Sequence, residues 1–186
     1  MTAGETGSGK LLILGLGNVI CGDDGVGVVA VDRLAREYEL PQGVEALDGG
    51  TLGLALLHYA AGADDLLLVD AIRADNPPGT LVRLSGDDVA PAVRERLSVH
   101  QIGVADLLEG LRLLDAYPRR VLLLGLVPES LELRVGLSPA VDAGLPGLVS
   151  EVAREVRRLG YPLRLRDAHA TVLPRGDDRA YRALGL

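Results

Sequence analysis

Three runs of consecutive apolar residues dominate the hydropathy pattern of the chain. They cover residues 11–17 (LLILGLG), 66–72 (LLLVDAI) and 121–127 (VLLLGLV). Unbroken apolar runs of this length are typical of parallel strands that are buried on both faces. Shorter strands are predicted at 44–47, 80–84 and 131–135, the last two because polar and apolar residues alternate there.

Helical periodicity fills the segments between these runs. Val26, Ala30, Leu34 and Tyr38 recur every four residues, and this spacing predicts an amphipathic helix. The pattern as a whole predicts helices at 24–40, 52–61 (with Thr51 as N-cap), 101–116 and 138–160, and a charged loop at 85–99. Strands that alternate with helices predict an α/β fold, a twisted, mostly parallel sheet of about five strands with helices on both faces.

The two ends of the chain lack this periodicity. Residues 1–10 are polar and glycine-rich and are predicted to form a flexible leader. Residues 161–186 carry Arg, Asp and Gly without a repeating pattern, so that we expect a mobile C-terminal extension. A single domain is therefore expected over residues 11–160.

Composition and charge narrow the possible partners and location. The chain has 186 residues and a net charge of −7, which argues against nucleic acid and anionic membranes as partners because both require a basic face. The single cysteine, Cys21, excludes an internal disulfide and a metal site built from several cysteines. No apolar run approaches the ~20 residues of a membrane span. The N-terminus has no apolar region typical of a secretory signal, so that a cytoplasmic location is expected.

Two glycine motifs do not fit their usual functions. Residues 4–10 match the phosphate-loop pattern GxxxxGK, but they precede a strand and Leu11 stands in the hydroxyl position. Residues 15–20 begin like a dinucleotide-binding fingerprint, but the third glycine is missing. Asp23 and Asp24 also stand at the start of the next helix, where they would repel a pyrophosphate.

Acidic residues at strand ends are the strongest indication of a functional site. Asp70 ends an apolar run, and a carboxylate there is costly unless it is paired, hydrogen-bonded or bound to a metal. Ligands of open α/β sheets bind outside the carboxyl ends of the strands. Asp24 is the second candidate, whereas Asp23 is interpreted as a helix N-cap and Asp48 as a turn residue.

One histidine completes a possible metal site. His100 precedes a predicted helix and follows a loop long enough to fold over the sheet. Two carboxylates and an imidazole would suit Zn, Ni, Mn or Fe. His58 is interpreted as a surface or packing residue and His169 lies in the aperiodic tail, while Cys21 is expected to be a small core residue.

Five segments, in this order, resemble the nickel–iron hydrogenase maturation proteases, the endopeptidases that remove the C-terminal extension of a hydrogenase large subunit after nickel insertion. The segments are LGLGN followed by GDDGVG, LDGGTLGLALL, LLLVDAI with PPGT behind it, SVHQIGVADLL, and LGLVPESLELRVGLSP. The resemblance covers residues 11–160. It implies a twisted, mainly parallel sheet between helices, and a metal-binding trio at Asp24, Asp70 and His100, although some members have Glu at the first position.

The resemblance also implies a mechanism and a partner. The nickel would belong to the substrate, a nickel–iron hydrogenase large-subunit precursor, and the trio would sense that it has been inserted. Asp24 or Asp70 would act as general base on a water, in an aspartic-type or metal-assisted peptidase. The glycines at 15–17, together with Gly49, Gly50 and Thr51, would let the extended substrate lie against the backbone. Two other functions remain open, a metallohydrolase with its own ion and a non-catalytic module that binds the precursor.

Overall fold

The computed structural model describes residues 9–96 and 102–166. The strands are β1 (Leu11–Leu16), β2 (Tyr38–Glu39), β3 (Val44–Gly50), β4 (Asp65–Ala71), β5 (Leu81–Ser85), β6 (Arg120–Leu126) and β7 (Arg164–Leu165). The helices are α1 (Val26–Glu37), α2 (Leu57–Ala60), α3 (Val89–Arg96), α4 (Ile102–Leu113) and α5 (Pro139–Arg158). Turns of 3₁₀ helix cover Gly22–Gly25, Gly53–Leu56 and Gly86–Asp88.

A five-stranded sheet in the order β3-β1-β4-β6-β5 forms the centre of the molecule. The first four strands in this order are parallel, and β5 pairs with β6 in the antiparallel sense. The parallel strands therefore all end at one edge, which we call the carboxyl edge. The predicted mostly parallel α/β sheet is confirmed.

The sheet is covered on both faces, as the unbroken apolar runs predict. In β1, Leu11 and Ile13 belong to a core that includes apolar residues of α1 and α5. Leu12 and Leu14 point to the opposite face, where they belong to a second core with residues of α3 and α4. Each central strand needs apolar residues at consecutive positions because both of its faces are buried.

Four predicted elements differ from the structure. The helix predicted at 52–61 is instead the 3₁₀ turn Gly53–Leu56 followed by the four residues of α2. The helix predicted at 24–40 begins with a 3₁₀ turn and ends at Glu37, because Tyr38 turns into β2. The predicted loop at 85–99 contains α3, in which Val89, Ala92 and Val93 are buried. The predicted strand at 131–135 is not formed; its pairing is limited to one isolated bridge between Cys21 and Arg134.

The packed domain extends beyond the predicted boundary at residue 160. Tyr161 and Leu163 are buried in the core beside α5. Arg164 and Leu165 form β7, which pairs antiparallel with β2. The folded domain therefore includes residues up to Arg166, because the segment after α5 packs into the core and pairs with β2.

Across residues 9–96 and 102–166, no helix combines the length and the apolar character that crossing a membrane requires.

Candidate active site

The carboxyl edge brings the first two predicted site residues together. Asp70 is the sixth residue of β4, next to the end of that strand. Asp24 lies in the 3₁₀ turn Gly22–Gly25, which follows β1, the strand beside β4, and which contacts β4. Both carboxylates are removed from solvent, since Asp24 is 1% and Asp70 0% exposed.

Close backbone contacts fix the turn that carries Asp24. A Cβ atom at Gly27 would overlap the carbonyl oxygen of Val69 and would stand 2.5 Å from that of Leu16. A Cβ atom at Gly15 would stand 2.6 Å from the Gly27 carbonyl oxygen. The start of α1 therefore lies directly on the ends of β1 and β4, which only glycine allows.

These contacts change the interpretation of the first glycine segment. The sequence suggests that a substrate approaches residues 15–17. The space beside Gly15 is instead filled by Gly27, and a Cβ atom at Gly17 would overlap the Asp24 carbonyl oxygen. These two glycines pack against the molecule's own backbone.

The two oxygens of the Asp24 carboxylate are in different environments. Oδ2 accepts a hydrogen bond from the backbone N–H of Asn18 at 2.8 Å. Oδ1 has no hydrogen-bond donor among the residues that the structure describes. Glu155 Oε2 is also buried without a hydrogen bond, but it forms an ion pair with Arg158 Nε at 3.0 Å. Asp24 Oδ1 is therefore unusual among the described residues, since buried acceptor oxygens are almost always satisfied.

The Asp70 carboxylate is more firmly held. Its Oδ1 accepts a hydrogen bond from the backbone N–H of Ala71 at 2.7 Å, and Asp70 takes part in a further interaction within the protein. The carboxylate is thus oriented at the end of a central strand, as a ligand or a proton acceptor requires.

Asp23 has a different role from the one predicted. Its side chain makes no capping hydrogen bond to α1 or to the turn that contains it. Instead, Oδ1 accepts a hydrogen bond from the backbone N–H of Ser138 at 2.6 Å, and Oδ2 accepts from Glu129 at 2.8 Å and from Ser130 at 3.2 Å. The carboxylate therefore fastens the segment 129–138 to the turn.

These hydrogen bonds also set the acidity of Asp23. Burial desolvates the carboxylate and by itself raises its pKa. The backbone N–H groups of Ser138, Glu129 and Ser130 oppose this effect and hold the pKa below its ordinary value.

The third predicted site residue, His100, lies outside the described residues. Gly103, three positions later, is in α4 and lies against Gly53, where a Cβ atom on Gly53 would stand 2.7 Å from the Gly103 Cα. Gly53 begins the turn that follows β3, near the carboxyl edge. The place of His100 in the site stays a prediction.

The predicted substrate-binding residues lie at the end of β3. Gly50 has a φ of +43° and its carbonyl oxygen accepts a hydrogen bond from the Gly17 N–H at 3.0 Å. Gly49 is buried against Leu16 and Leu56, and Thr51 is exposed. Thr51 is not an N-cap, since the turn begins at Gly53 and has no side-chain cap.

Asp48 lies inside β3, where it stands opposite Gly15 of β1, so that it is not the turn residue that was predicted. Desolvation raises its pKa, the Gly50 N–H lowers it, and the charge of Asp32 raises it further, so that the net pKa lies above the ordinary value.

The sequence offers three further candidates, Cys21, His58 and His169. Cys21 is partly exposed, so that it is not the buried core residue that was expected. His58 is an exposed residue of α2, as interpreted from the sequence. His169 lies outside the described residues.

Sequence reasoning missed two residues around Asp24. Asn18, the last residue of LGLGN, orients the Asp24 carboxylate through its backbone N–H. Asp23 holds a segment that follows it by more than 100 positions, since the partners Glu129 and Asp23 are 106 residues apart. The two consecutive aspartates in GDDG are the only local sequence feature that draws attention to Asp23. They do not reveal its distant hydrogen-bond partners.

Comparisons with known proteins identify the family of this chain and agree with its fold. The HycI hydrogenase maturation protease family model matches residues 28–155. The hydrogenase 2 maturation protease of Escherichia coli (strain K12) is 40% identical over 152 residues, which are 81% of this chain and 93% of the relative. The hydrogenase expression/formation protein HupD of Rhodobacter capsulatus is 40% identical over 154 residues, or 81% of this chain and 73% of the relative.

Solved structures give the same result. The hydrogenase maturating endopeptidase HybD from E. coli superposes with a TM-score of 0.81 at 39% identity, over 84% of this chain and 98% of HybD. The [NiFe] hydrogenase maturation protease HybD from Thermococcus kodakarensis has a TM-score of 0.66 at 31% identity, over 79% of this chain and 98% of the neighbour. These likenesses support peptidase activity over a non-catalytic binding module. The chain therefore belongs to the hydrogenase maturation protease family, as the resemblance of its motifs predicts.

Proposed function

We propose that this protein removes the C-terminal extension of a nickel–iron hydrogenase large-subunit precursor, and that it recognises the nickel that the precursor already carries. In this proposal the nickel is part of the substrate. Asp24, Asp70 and His100 contact it, and cleavage takes place in the cytoplasm once insertion is complete.

The observation that supports this proposal most strongly is Asp24 Oδ1, which has no hydrogen-bond donor within residues 9–96 and 102–166. Leaving a buried acceptor oxygen without a donor costs about 1–3 kcal/mol. Such a cost is retained in a protein when the group has a partner in the functional complex. A cation is a suitable partner, because Oδ2 of the same carboxylate is already held by Asn18.

The ligand types also suit nickel. Carboxylate oxygens and an imidazole nitrogen are hard to borderline ligands, and Ni(II) accepts both. Three such groups leave coordination positions for the precursor. A nickel ion that is fixed mainly by the precursor would therefore be contacted only when the loaded precursor docks.

Peptide hydrolysis additionally requires a proton acceptor for the attacking water. Asp24 and Asp70 are the carboxylates at the carboxyl edge that we assign to this step. Their burial excludes bulk water, which strengthens electrostatic interactions in the site. Because an isolated buried charge is costly, both carboxylates need a pairing or liganding group in the complex.

Incubation with two forms of the precursor tests the proposal. Nickel-loaded and nickel-free large-subunit precursor are each mixed with the protein, and the mass of the large subunit is followed. We expect the mass to fall only for the loaded precursor. Equal cleavage of both forms would contradict nickel recognition, and stoichiometric metal in protein purified without precursor would favour a metallohydrolase with its own ion.

A further inference from the structure

Four exposed apolar side chains lie beside the turn that carries Asp24. Val19 and Ile20 precede the turn and are 48% and 51% exposed. Leu133 and Val135 belong to the segment 129–138 and are 80% and 85% exposed. We call these four residues the apolar rim.

Backbone hydrogen bonds join the two halves of the rim. The Arg134 N–H donates to the Ile20 carbonyl oxygen at 3.0 Å, and the Gly22 N–H donates to the Arg134 carbonyl oxygen at 2.7 Å. Leu133 and Val135 flank Arg134 in the chain. They are therefore held next to Ile20, although the two segments are more than 100 positions apart.

Hydrogen bonds and packing also hold the rim against the turn that carries Asp24. Asp23 accepts hydrogen bonds from Glu129 and Ser130 at one end of the segment and from Ser138 at the other. On the other half of the rim, Val19 lies over the glycine after Asp24, since a Cβ atom at Gly25 would stand 2.7 Å from the Val19 Cα. Asp23, which takes no part in the proposed chemistry, thus connects the rim to Asp24 through one peptide bond.

We propose that the apolar rim is a docking surface for apolar residues of the large-subunit precursor next to its extension, and that Asp23 is the residue that positions it. This inference rests on the proposed function. The rim is continuous with the site through Gly22, Asp23 and Gly25, so that whatever covers it lies beside the bond to be cleaved. Four apolar side chains exposed together on a fastened loop are typical of a binding surface.

A double substitution on the rim, L133S/V135S, tests this proposal directly. Because both side chains are mostly exposed, we expect the free energy of unfolding to stay at the wild-type value. The control is Leu113→Ser in α4, since Leu113 is 86% exposed and precedes β6 at the opposite edge of the sheet. With nickel-loaded precursor, L133S/V135S should raise KM about tenfold and change kcat little, because apolar burial contributes to binding. The control should match the wild type.

Asp23→Asn adds a test of positioning. It should also raise KM, and combining it with L133S/V135S should raise KM little further, because both changes remove the same docking surface. If wild type and L133S/V135S have the same KM, the docking proposal is wrong while the proposed function stands. If the wild type does not cleave the precursor, the proposed function itself fails. A wild-type dimer in sedimentation that L133S/V135S abolishes would also overturn the proposal, because the rim would then bind a second copy of this chain.

Discussion

Gly27 lies so close to Val69 that a Cβ atom at position 27 would overlap the Val69 carbonyl oxygen. This contact joins the first turn of α1 to β4 one residue before Asp70. Because Asp24 is three residues before Gly27, the same contact fixes the position of the Asp24 turn relative to Asp70. The two carboxylates can therefore lie at one edge only because residue 27 has no side chain.

Gly27→Ala should therefore move the turn and destabilise the protein. Overpacking of a closely packed interior costs about 1–3 kcal/mol, and we expect a loss of this size in the free energy of unfolding, together with a lower kcat for the precursor. Chemical denaturation and cleavage measure both. The matched control is Gly147→Ala in α5, where a Cβ atom meets nothing within 4 Å. That variant should be as stable as the wild type or more stable, since Ala is the better helix former. A stable and active Gly27→Ala variant would contradict the packing argument.

Asp23→Asn should lose stability, and it should lose more than removal of a helix cap does. Asn keeps one acceptor oxygen, so that at least one of the three backbone N–H groups loses its partner. Hydrogen bonds to a charged group contribute about 1.5–3 kcal/mol. We expect a loss of about 2 kcal/mol, measured by denaturation at neutral pH.

The pH dependence of the same variant provides a second measurement. Because the pKa of Asp23 is lower in the folded protein than in the unfolded chain, its contribution is present above the ordinary aspartate pKa, about 3.9, and is lost as the pH falls through the folded value. Asp23→Asn should show a shallower loss of stability in this acid range. Identical acid unfolding of variant and wild type would show that the segment 129–138 is not held in this way.

Tyr161 should make the protein sensitive to alkaline pH. Burial, followed by its hydrogen bond to Asp65 Oδ2 at 2.9 Å, raises the pKa of Tyr161 to about 12. An unfolded tyrosine ionises at about pH 10, so that stability is lost as the pH rises from about 10 towards the folded value. Tyr161→Phe should reduce this loss between pH 10 and 12, with cleavage at neutral pH retained. An unchanged alkaline profile would contradict the assignment.

Truncation tests where the domain ends. A chain that stops at Gly160 loses Tyr161 and Leu163, which are buried in the core, and also loses β7. Because each buried side chain of this size contributes about 1.5–3 kcal/mol, we expect a chain that ends at Gly160 to be severely destabilised. A chain that ends at Arg166 keeps all of these contacts and serves as the control. Equal melting temperatures for the two chains would show that the segment after α5 contributes nothing to stability.

The sequence predicts the centre of the fold well, and the reason is physical. The central strands β1, β4 and β6 are buried on both faces, so that their residues are apolar at consecutive positions and the pattern is unmistakable. Asp70 was recognisable because it interrupts such a run. Asp24 was recognisable because it stands where the next helix begins.

Segments whose structure depends on distant partners could not be predicted in the same way. The segment 131–135 alternates like a strand, yet Leu133 and Val135 are exposed, because it meets its partner at a single bridge. The segment of α3 contains Pro91 and lies in a charged stretch, so that its local pattern is typical of a loop. The helix forms because Val89, Ala92 and Val93 fit the second core. Local pattern does not reveal the partners of Asp23, which follow it by 106 to 115 positions.

We propose that the Asp24 carboxylate is buried for a ligand rather than for stability. In Asp24→Asn the amide oxygen can keep the hydrogen bond from Asn18, and the variant no longer buries a carboxylate whose Oδ1 lacks a donor among the described residues. We therefore expect a free energy of unfolding equal to or higher than that of the wild type, since substitutions at functional sites often stabilise.

The most direct test is cleavage of nickel-loaded precursor by folded Asp24→Asn protein, followed as the change in mass of the large subunit. Circular dichroism and denaturation on the same sample establish that the variant is folded. We expect a variant that is at least as stable as the wild type and that leaves the precursor uncut. Cleavage at the wild-type rate by Asp24→Asn would show that the Asp24 carboxylate has no role in recognition or cleavage.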